Sequence, residues 1–142
     1  MANLKLEREF PVNADTLFAW LTDGAKLLQW WGPEGMHVTE NKLDFSRLGP
    51  WYSVIENSEG QKYKVSGHVT HIDVPNSVGF TWAWHDDEDT RGNESHVIFT
   101  VTTTASGSRL VLDHRELADA EAATNHEQGW TSSLRKLEAR CK

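Results

Sequence analysis

An α+β fold is predicted: a curved antiparallel sheet of about seven strands wrapped around a long C-terminal helix, with two short helices after the first strand. Three observations predict it. Between residues 36 and 115 the apolar residues recur at alternate positions, in runs separated by short turn clusters. From residue 120 to 140 they recur at steps of three and four, the spacing of one helical face. Between the first strand and that block lie two short stretches of helical spacing, divided at Thr22-Asp23-Gly24.

Each element follows from its residues. Leu4, Leu6, Arg8 and Phe10 alternate with Lys5, Glu7 and Glu9, a half-buried strand that Pro11 ends. Asn13 is an N-cap and Asp15 favours a first helical turn; Ala14, Leu17, Phe18 and Leu21 share a face. Gly24 breaks that helix, and residues 25–31 form a second. Six strands are then expected over 36–45, 51–57, 61–73, 77–85, 93–105 and 108–115. Ser58-Glu59-Gly60, Val74-Pro75-Asn76, the polar loop 85–93 and Ser106-Gly107 separate the later ones. The register of 36–45 stays open, and a slip of one residue would reverse its faces. Asp119 caps the last helix, whose stripe is Ala123, His126, Trp130, Leu134, Leu137 and Cys141. The first strand is expected at a sheet edge. The long helix is the only element large enough to cover the apolar face of the sheet, and the space between such layers often stays open as a cavity.

The chain of 142 residues is read as one domain, 1–142, with 38% hydrophobic and 25% charged residues. Its net charge is −7, from 14 basic and 21 acidic residues, and no basic stripe alternates with aromatics. Nucleic acid and anionic membranes are disfavoured as partners; a small neutral, apolar or cationic ligand is compatible. Cys141 is the single cysteine, so no internal disulfide forms, which suits a reducing compartment. With no signal peptide in residues 1–12 and no apolar run of membrane-spanning length, a cytoplasmic location is expected.

The densest information lies in Trp30-Trp31-Gly32-Pro33-Glu34-Gly35. Gly-Pro cannot continue a helix, so two large aromatics must be buried where a short helix ends. They either fill a core or wall a cavity. Gly129, inside the long helix, costs about 1 kcal/mol against alanine. It implies a close backbone approach or a pocket contour on one reading, and plain packing beside Trp130 on the other.

These motifs resemble a family: the small proteins related to the C-terminal domain of the Hsp90 ATPase activator, within the START/Bet v 1-like helix-grip superfamily. The resemblance covers nearly the whole chain. It rests on Arg8-Glu9-Phe10, Leu21-Thr22-Asp23, Leu28-Gln29-Trp30-Trp31-Gly32-Pro33-Glu34-Gly35, Gly67 with Ile72-Asp73, and Thr81-Trp82. Ser108-Arg109-Leu110, His114, His126, Gly129-Trp130 and Leu134 complete it. Two departures touch loops: Gly49-Pro50 stands where the family has Gly-Gly, and Gly24 where it has proline. The resemblance implies a hydrophobic cavity between sheet and long helix. It implies no single activity, since the superfamily spans lipid binders, cyclases, co-chaperone domains and self-sacrificing resistance proteins.

Among individual residues, His114 and His126 both point inward by pattern. They are the candidate acid–base groups, although a role in satisfying core polar groups is preferred. Trp51, Tyr63, Phe80, Trp82, Trp84, Phe99 and Trp130 fall on inner faces. About two or three of these seven are expected to touch a cavity, the rest to fill the core. With Trp31 and the two histidines they make the candidate ligand-binding set. His68 and His71 face opposite sides of a strand, His96 faces outward, and no trio of residues has metal-ligand spacing. The acidic run His85-Asp86-Asp87-Glu88-Asp89 lacks the positions of a calcium loop and reads as a solvated hairpin. Glu40, Asp44 and Arg109 are candidates for a cavity mouth, with Arg109 preferred as a cross-strand ion pair.

The leading expectation is a module that holds a small hydrophobic or aromatic molecule without a cofactor or metal. The alternatives are a cyclase, dehydratase or hydrolase using His114 or His126, and an Hsp90 co-chaperone-like interaction module with a chaperone partner. Monomer and homodimer are both compatible with the chain.

Overall fold

The computed structural model describes residues 1–141. Strand β1 (Ala2–Phe10) is followed by helices α1 (Ala14–Thr22) and α2 (Gly24–Leu27). Six strands come next: β2 (His37–Lys42), β3 (Gly49–Glu56), β4 (Lys62–Asp73), β5 (Ser77–Trp84), β6 (Ser95–Thr104) and β7 (Gly107–Leu117). Helix α3 (Ala120–Arg140) ends the fold. All seven strands form one antiparallel sheet in the order β1-β7-β6-β5-β4-β3-β2, so β1 closes onto β7 as an edge.

Local chemistry sets the helix boundaries. Asn13 Oδ1 accepts from the Thr16 amide at 2.8 Å, and Asp119 Oδ1 from the Ala122 amide at 2.8 Å. Asp23 both ends α1 and caps α2, its carboxylate accepting from the Ala25 amide at 2.9 Å. Gly24 therefore opens the second helix rather than breaking the first. A Cβ there would collide with the Leu43 carbonyl, which is why this turn takes glycine.

Two sequence boundaries need correction. The second helix is regular only to Leu27; three-residue turns bonded from Gln29 to Lys26 and from Trp30 to Leu27 follow it. This tightening drives both tryptophans inward. The strand expected over 36–45 stops at Lys42. Leu43 and Phe45 leave the ladder because their side chains are buried, and the Phe45 amide bonds the Thr22 carbonyl at 2.8 Å instead. Pro50 is accommodated because β2 pairs with β3 only from Tyr52 onward, so no ladder bond needs its missing amide.

The inner sheet face and α3 enclose the core. Leu134 and Leu137 are fully buried, as are Leu110, Leu112, Val97 and Phe99 facing them from the sheet side. Burial of each such side chain stabilises the fold by about 1.5–3 kcal/mol. Among the described residues no helix is long and apolar enough to cross a membrane.

Candidate functional site

The two adjacent tryptophans part company. Trp30 is fully buried, its indole N–H donating to the Trp20 carbonyl at 2.9 Å. Trp31 turns the other way and donates to Ser53 Oγ on β3 at 2.9 Å. Its ring lies 5.7–5.9 Å from those of Phe45, Trp51, Trp82 and Trp130. Trp31 is thus the partition between a packed aromatic block and an open space.

That space is a cavity of about 560 Å³ between β3–β5, the 31–36 loop and the first half of α3. Trp31, Trp82 and Trp130 line it from three directions, joined by Trp84, Met36, Ile55 and Val65. Asn57, Tyr63, Asn125 and Ser133 add polar atoms, and among the described residues no charged side chain belongs to the lining. The volume falls within the ~300–1,000 Å³ usual for small-molecule sites.

Gly129 resolves its two readings. It lines the cavity, and the nearest atom a Cβ would meet is Pro33 Cγ at 3.9 Å. Its missing side chain leaves open volume rather than allowing a close backbone approach. The facing loop turns through Gly32 and Gly35, at φ +85° and +86°. Glu34 then ties that loop to α3: its amide donates to Ser132 Oγ at 2.7 Å and its carboxylate accepts from Arg135 at 3.0 Å. The side-chain bonds from Arg135 and from the Ser132 hydroxyl, which donates to Oε1 at 3.2 Å, hold the Glu34 carboxyl below the usual carboxylate range. Lys136 Nζ adds a bond to the Trp31 carbonyl at 3.3 Å.

Both candidate histidines are inward, but neither has a nitrogen to spare. The Trp84 indole N–H donates to His126 Nε2 at 2.9 Å, so that nitrogen carries the lone pair. His126 Nδ1–H donates to the Ala122 carbonyl at 2.7 Å. His114 has the opposite tautomer. Its Nδ1 accepts from the Trp130 indole at 3.1 Å, and its Nε2–H donates to Ser95 Oγ at 2.7 Å. Ser95 passes its own proton to the Trp82 carbonyl at 3.1 Å. An indole only donates, so a proton added to either acceptor nitrogen would face another N–H. Burial lowers the pKa of His114 to about 3, with the nearby His126 and His96 adding to the shift. Burial also lowers His126, against the opposing bond to Ala122.

The structure sorts the other expected site residues. Tyr63, Trp82, Trp84 and Trp130, four of the seven inner-face aromatics, line the cavity together with Trp31 and His126. Tyr63 holds the inner register but is 43% exposed. Trp51, Phe80 and Phe99 do not line it, and His114 is sealed behind Trp82 and Trp130. Phe80 stacks on Phe45 at 4.2 Å and meets Trp51 edge-on at 5.5 Å, filling the other end of the interior. Arg109 pairs with Glu9 on β1 at 3.6 Å; Glu40 and Asp44 are also absent from the lining. Sequence reasoning missed Met36, Ile55, Val65, Asn57 and Asn125 as lining residues. Alternation from Trp51 predicts Ile55 as inward, but no pattern marks Asn125, which stands at the exposed edge of α3. Among the described residues no three His, Cys, Asp or Glu side chains are placed to hold a metal ion.

A curved seven-stranded sheet gripping a C-terminal helix over an apolar cavity defines a helix-grip, Bet v 1-like protein. Within that class, the chain belongs to the Activator of Hsp90 ATPase homolog 1-like protein family, whose model matches residues 11–142. It is similar to a Silicibacter pomeroyi AHSA1 protein of known structure, at 65% identity and a TM-score of 0.95 over 98% of this chain and 96% of that one. Proteins from Chromobacterium violaceum (20% identity, TM-score 0.87, 98% and 96% covered) and Mycobacterium smegmatis (22%, 0.82, 99% and 90%) share the fold. No match is found among curated proteins.

Proposed function

We propose that the chain is a binding protein for a small, uncharged, flat apolar or aromatic molecule, held between the sheet and α3. The observation that carries this reading is the cavity lining: four indoles converge on one apolar space that no charged group among the described residues enters. An ionised ligand would lose its hydration there with no counter-charge in return. The polar atoms of Tyr63, Asn57 and Asn125 suit a ligand with one neutral polar group.

Binding is favoured over acid–base catalysis in the cavity. His126, the one imidazole in the lining, already uses both ring nitrogens, and a general base needs a free lone pair within reach of its substrate. The family description favours a second reading, contact with an Hsp90-type chaperone. Stoichiometric capture of that chaperone by the purified chain would support it.

The test of the binding reading is tryptophan fluorescence titration with a panel of neutral aromatic and aliphatic molecules, alongside native mass spectrometry. A saturable one-to-one quench at micromolar concentration supports it. An unresponsive protein across the panel, with no co-purifying species, contradicts it.

A further inference from the structure

On the sheet face turned away from α3, a second constellation has no part in the cavity. We propose that Ser66, His85 and Asp89 form a nucleophilic triad there, which accepts the acyl group of a small activated carboxylic ester and transfers it to water. Val65 and Val69 of β4 point into the core, so Ser66 between them points out. Its partner in β5 is Ala83, and His85 lies two residues further along the same face.

The distances are those of a proton relay. Ser66 Oγ is 2.7 Å from His85 Nε2, and His85 Nδ1 is 2.7 Å from Asp89 Oδ1. The partners fix the direction of every proton. A carboxylate only accepts, so Nδ1 carries the hydrogen and Nε2 of the neutral ring carries the lone pair. Arg91 Nε, 2.9 Å from Ser66 Oγ, only donates, which directs the serine hydroxyl proton to His85. Serine to imidazole to carboxylate is the hydrogen-bond order of a Ser-His-Asp nucleophile. It contrasts with His114 and His126, whose acceptor nitrogens are blocked by indoles.

The surrounding loop holds the set in place. Asp86 Oδ1 accepts from the Glu88 and Thr90 amides at 2.9 Å each, and the Gly92 amide bonds the Trp84 carbonyl at 2.8 Å. Asp89 adopts φ +62°, a left-handed conformation that aspartate tolerates better than most residues. Lys64 Nζ stands 3.2 Å from Asp89 Oδ1. Its hydrogen bond, with that from His85, holds the carboxyl below its ordinary range. Arg91 is fixed by Glu94 at 2.9 Å and by the Ser66 carbonyl at 3.1 Å. Its positive charge therefore lies next to Ser66 Oγ, the atom that would attack.

The step balances without a cofactor. Ser66 Oγ bonds to the ester carbonyl carbon while its proton moves to His85 Nε2. The bond to the leaving oxygen breaks, and that oxygen takes the proton from His85. Water then attacks acyl-Ser66, yields a proton to His85 Nε2, and releases the carboxylic acid as Ser66 Oγ regains its proton. The site lies on an open sheet face, which suits a short acyl group. Asp86, Asp87 and Glu88 alongside favour a neutral or cationic ester over an anionic one.

The test uses the intact wild-type chain, treated with a small fluorophosphonate and separately with 4-nitrophenyl acetate, followed by intact mass and peptide mapping. The expected result is one adduct per chain, on the Ser66 peptide, with ester hydrolysis that Ser66→Ala abolishes. His85→Gln should slow labelling about 100-fold or more. Asp89→Asn, at a positioning residue, should lower the maximal labelling rate while leaving the half-saturating probe concentration unchanged. Unaltered tryptophan emission checks that each variant is folded. No adduct on wild-type Ser66, labelling scattered over several residues, or a Ser66 rate indifferent to His85→Gln would each overturn the proposal. The wild-type arm decides the first two without any variant.

Discussion

The two ends of the interior are built from the same residue types and differ in what lies opposite them. At one end Phe45, Trp51, Phe80 and Phe99 meet one another at ring separations of 4.2–5.5 Å along the chain of contacts through Phe80. At the other, Trp31, Trp82 and Trp130 are still in mutual contact, at 5.2–5.9 Å, but also face open space. Inward register does not distinguish core from cavity wall. What distinguishes them is the backing. Phe45 folds back from the end of β2 to fill the first end, whereas Gly129 and the Gly32-Pro33 turn withhold side-chain volume from the second.

The largest effect that separates the two ends is expected at Phe80. Phe80→Ala should destabilise the protein by about 3–5 kcal/mol, because tightly packed rings cannot collapse into the void. Urea unfolding would measure this as a lower midpoint with an unchanged slope.

Acid should act next, through the histidines that back the open end. Unfolded imidazole titrates near 6.5, while native His114 stays neutral down to about 3. The unfolded chain therefore binds the extra proton across that window. The contribution of His114 is complete above about pH 6.5 and is lost as pH falls toward 3, at up to about 1.4 kcal/mol per unit. His114→Gln, which does not titrate, should flatten this acid limb in thermal melts recorded from pH 7 to 4.

Trp84→Phe is a smaller change. It removes the indole donor from His126 Nε2 and should cost about 1 kcal/mol. It should also raise the His126 pKa, observable by NMR titration of the ring protons, because the acceptor nitrogen is then free to take a proton. A pKa that does not rise would mean that burial alone keeps the ring neutral.

Gly129→Leu should have the smallest effect on stability and the sharpest on function. Leucine is the better helix former, by somewhat under 1 kcal/mol, and its side chain has room. The thermal midpoint should hold or rise while ligand binding is lost. A variant that binds normally would place the ligand elsewhere.

Much of this was legible beforehand, for identifiable reasons. The alternation through Val78, Phe80, Trp82 and Trp84 set the inner face of β5, and the steps from Ala123 to Cys141 set the buried stripe of α3. Asn13 and Asp119 marked helix starts because capping is a local interaction. The departures at Leu43 and Phe45 were not legible, since leaving a ladder for a core contact depends on the Thr22 carbonyl waiting across the fold. Nor could sequence assign His114 to the core and His126 to the cavity wall. Both sit on inward positions, and only the placement of Trp84 and Trp130 fixes their tautomers. The Ser66–His85–Asp89 alignment was equally hidden, because loop 85–91 reads as a solvated acidic turn until its backbone bonds close it.

The most direct measurement is the ¹⁵N–¹H spectrum of the indole groups during titration with a neutral aromatic ligand. Each tryptophan contributes one resolved signal, assigned by single substitutions. Trp31, Trp82, Trp84 and Trp130 should shift together and saturate, while Trp30 and Trp51 stay in place. Shifts at Trp30 and Trp51 without the cavity set, or no shifts at ligand concentrations well above the micromolar range, would contradict a binding site between the sheet and α3.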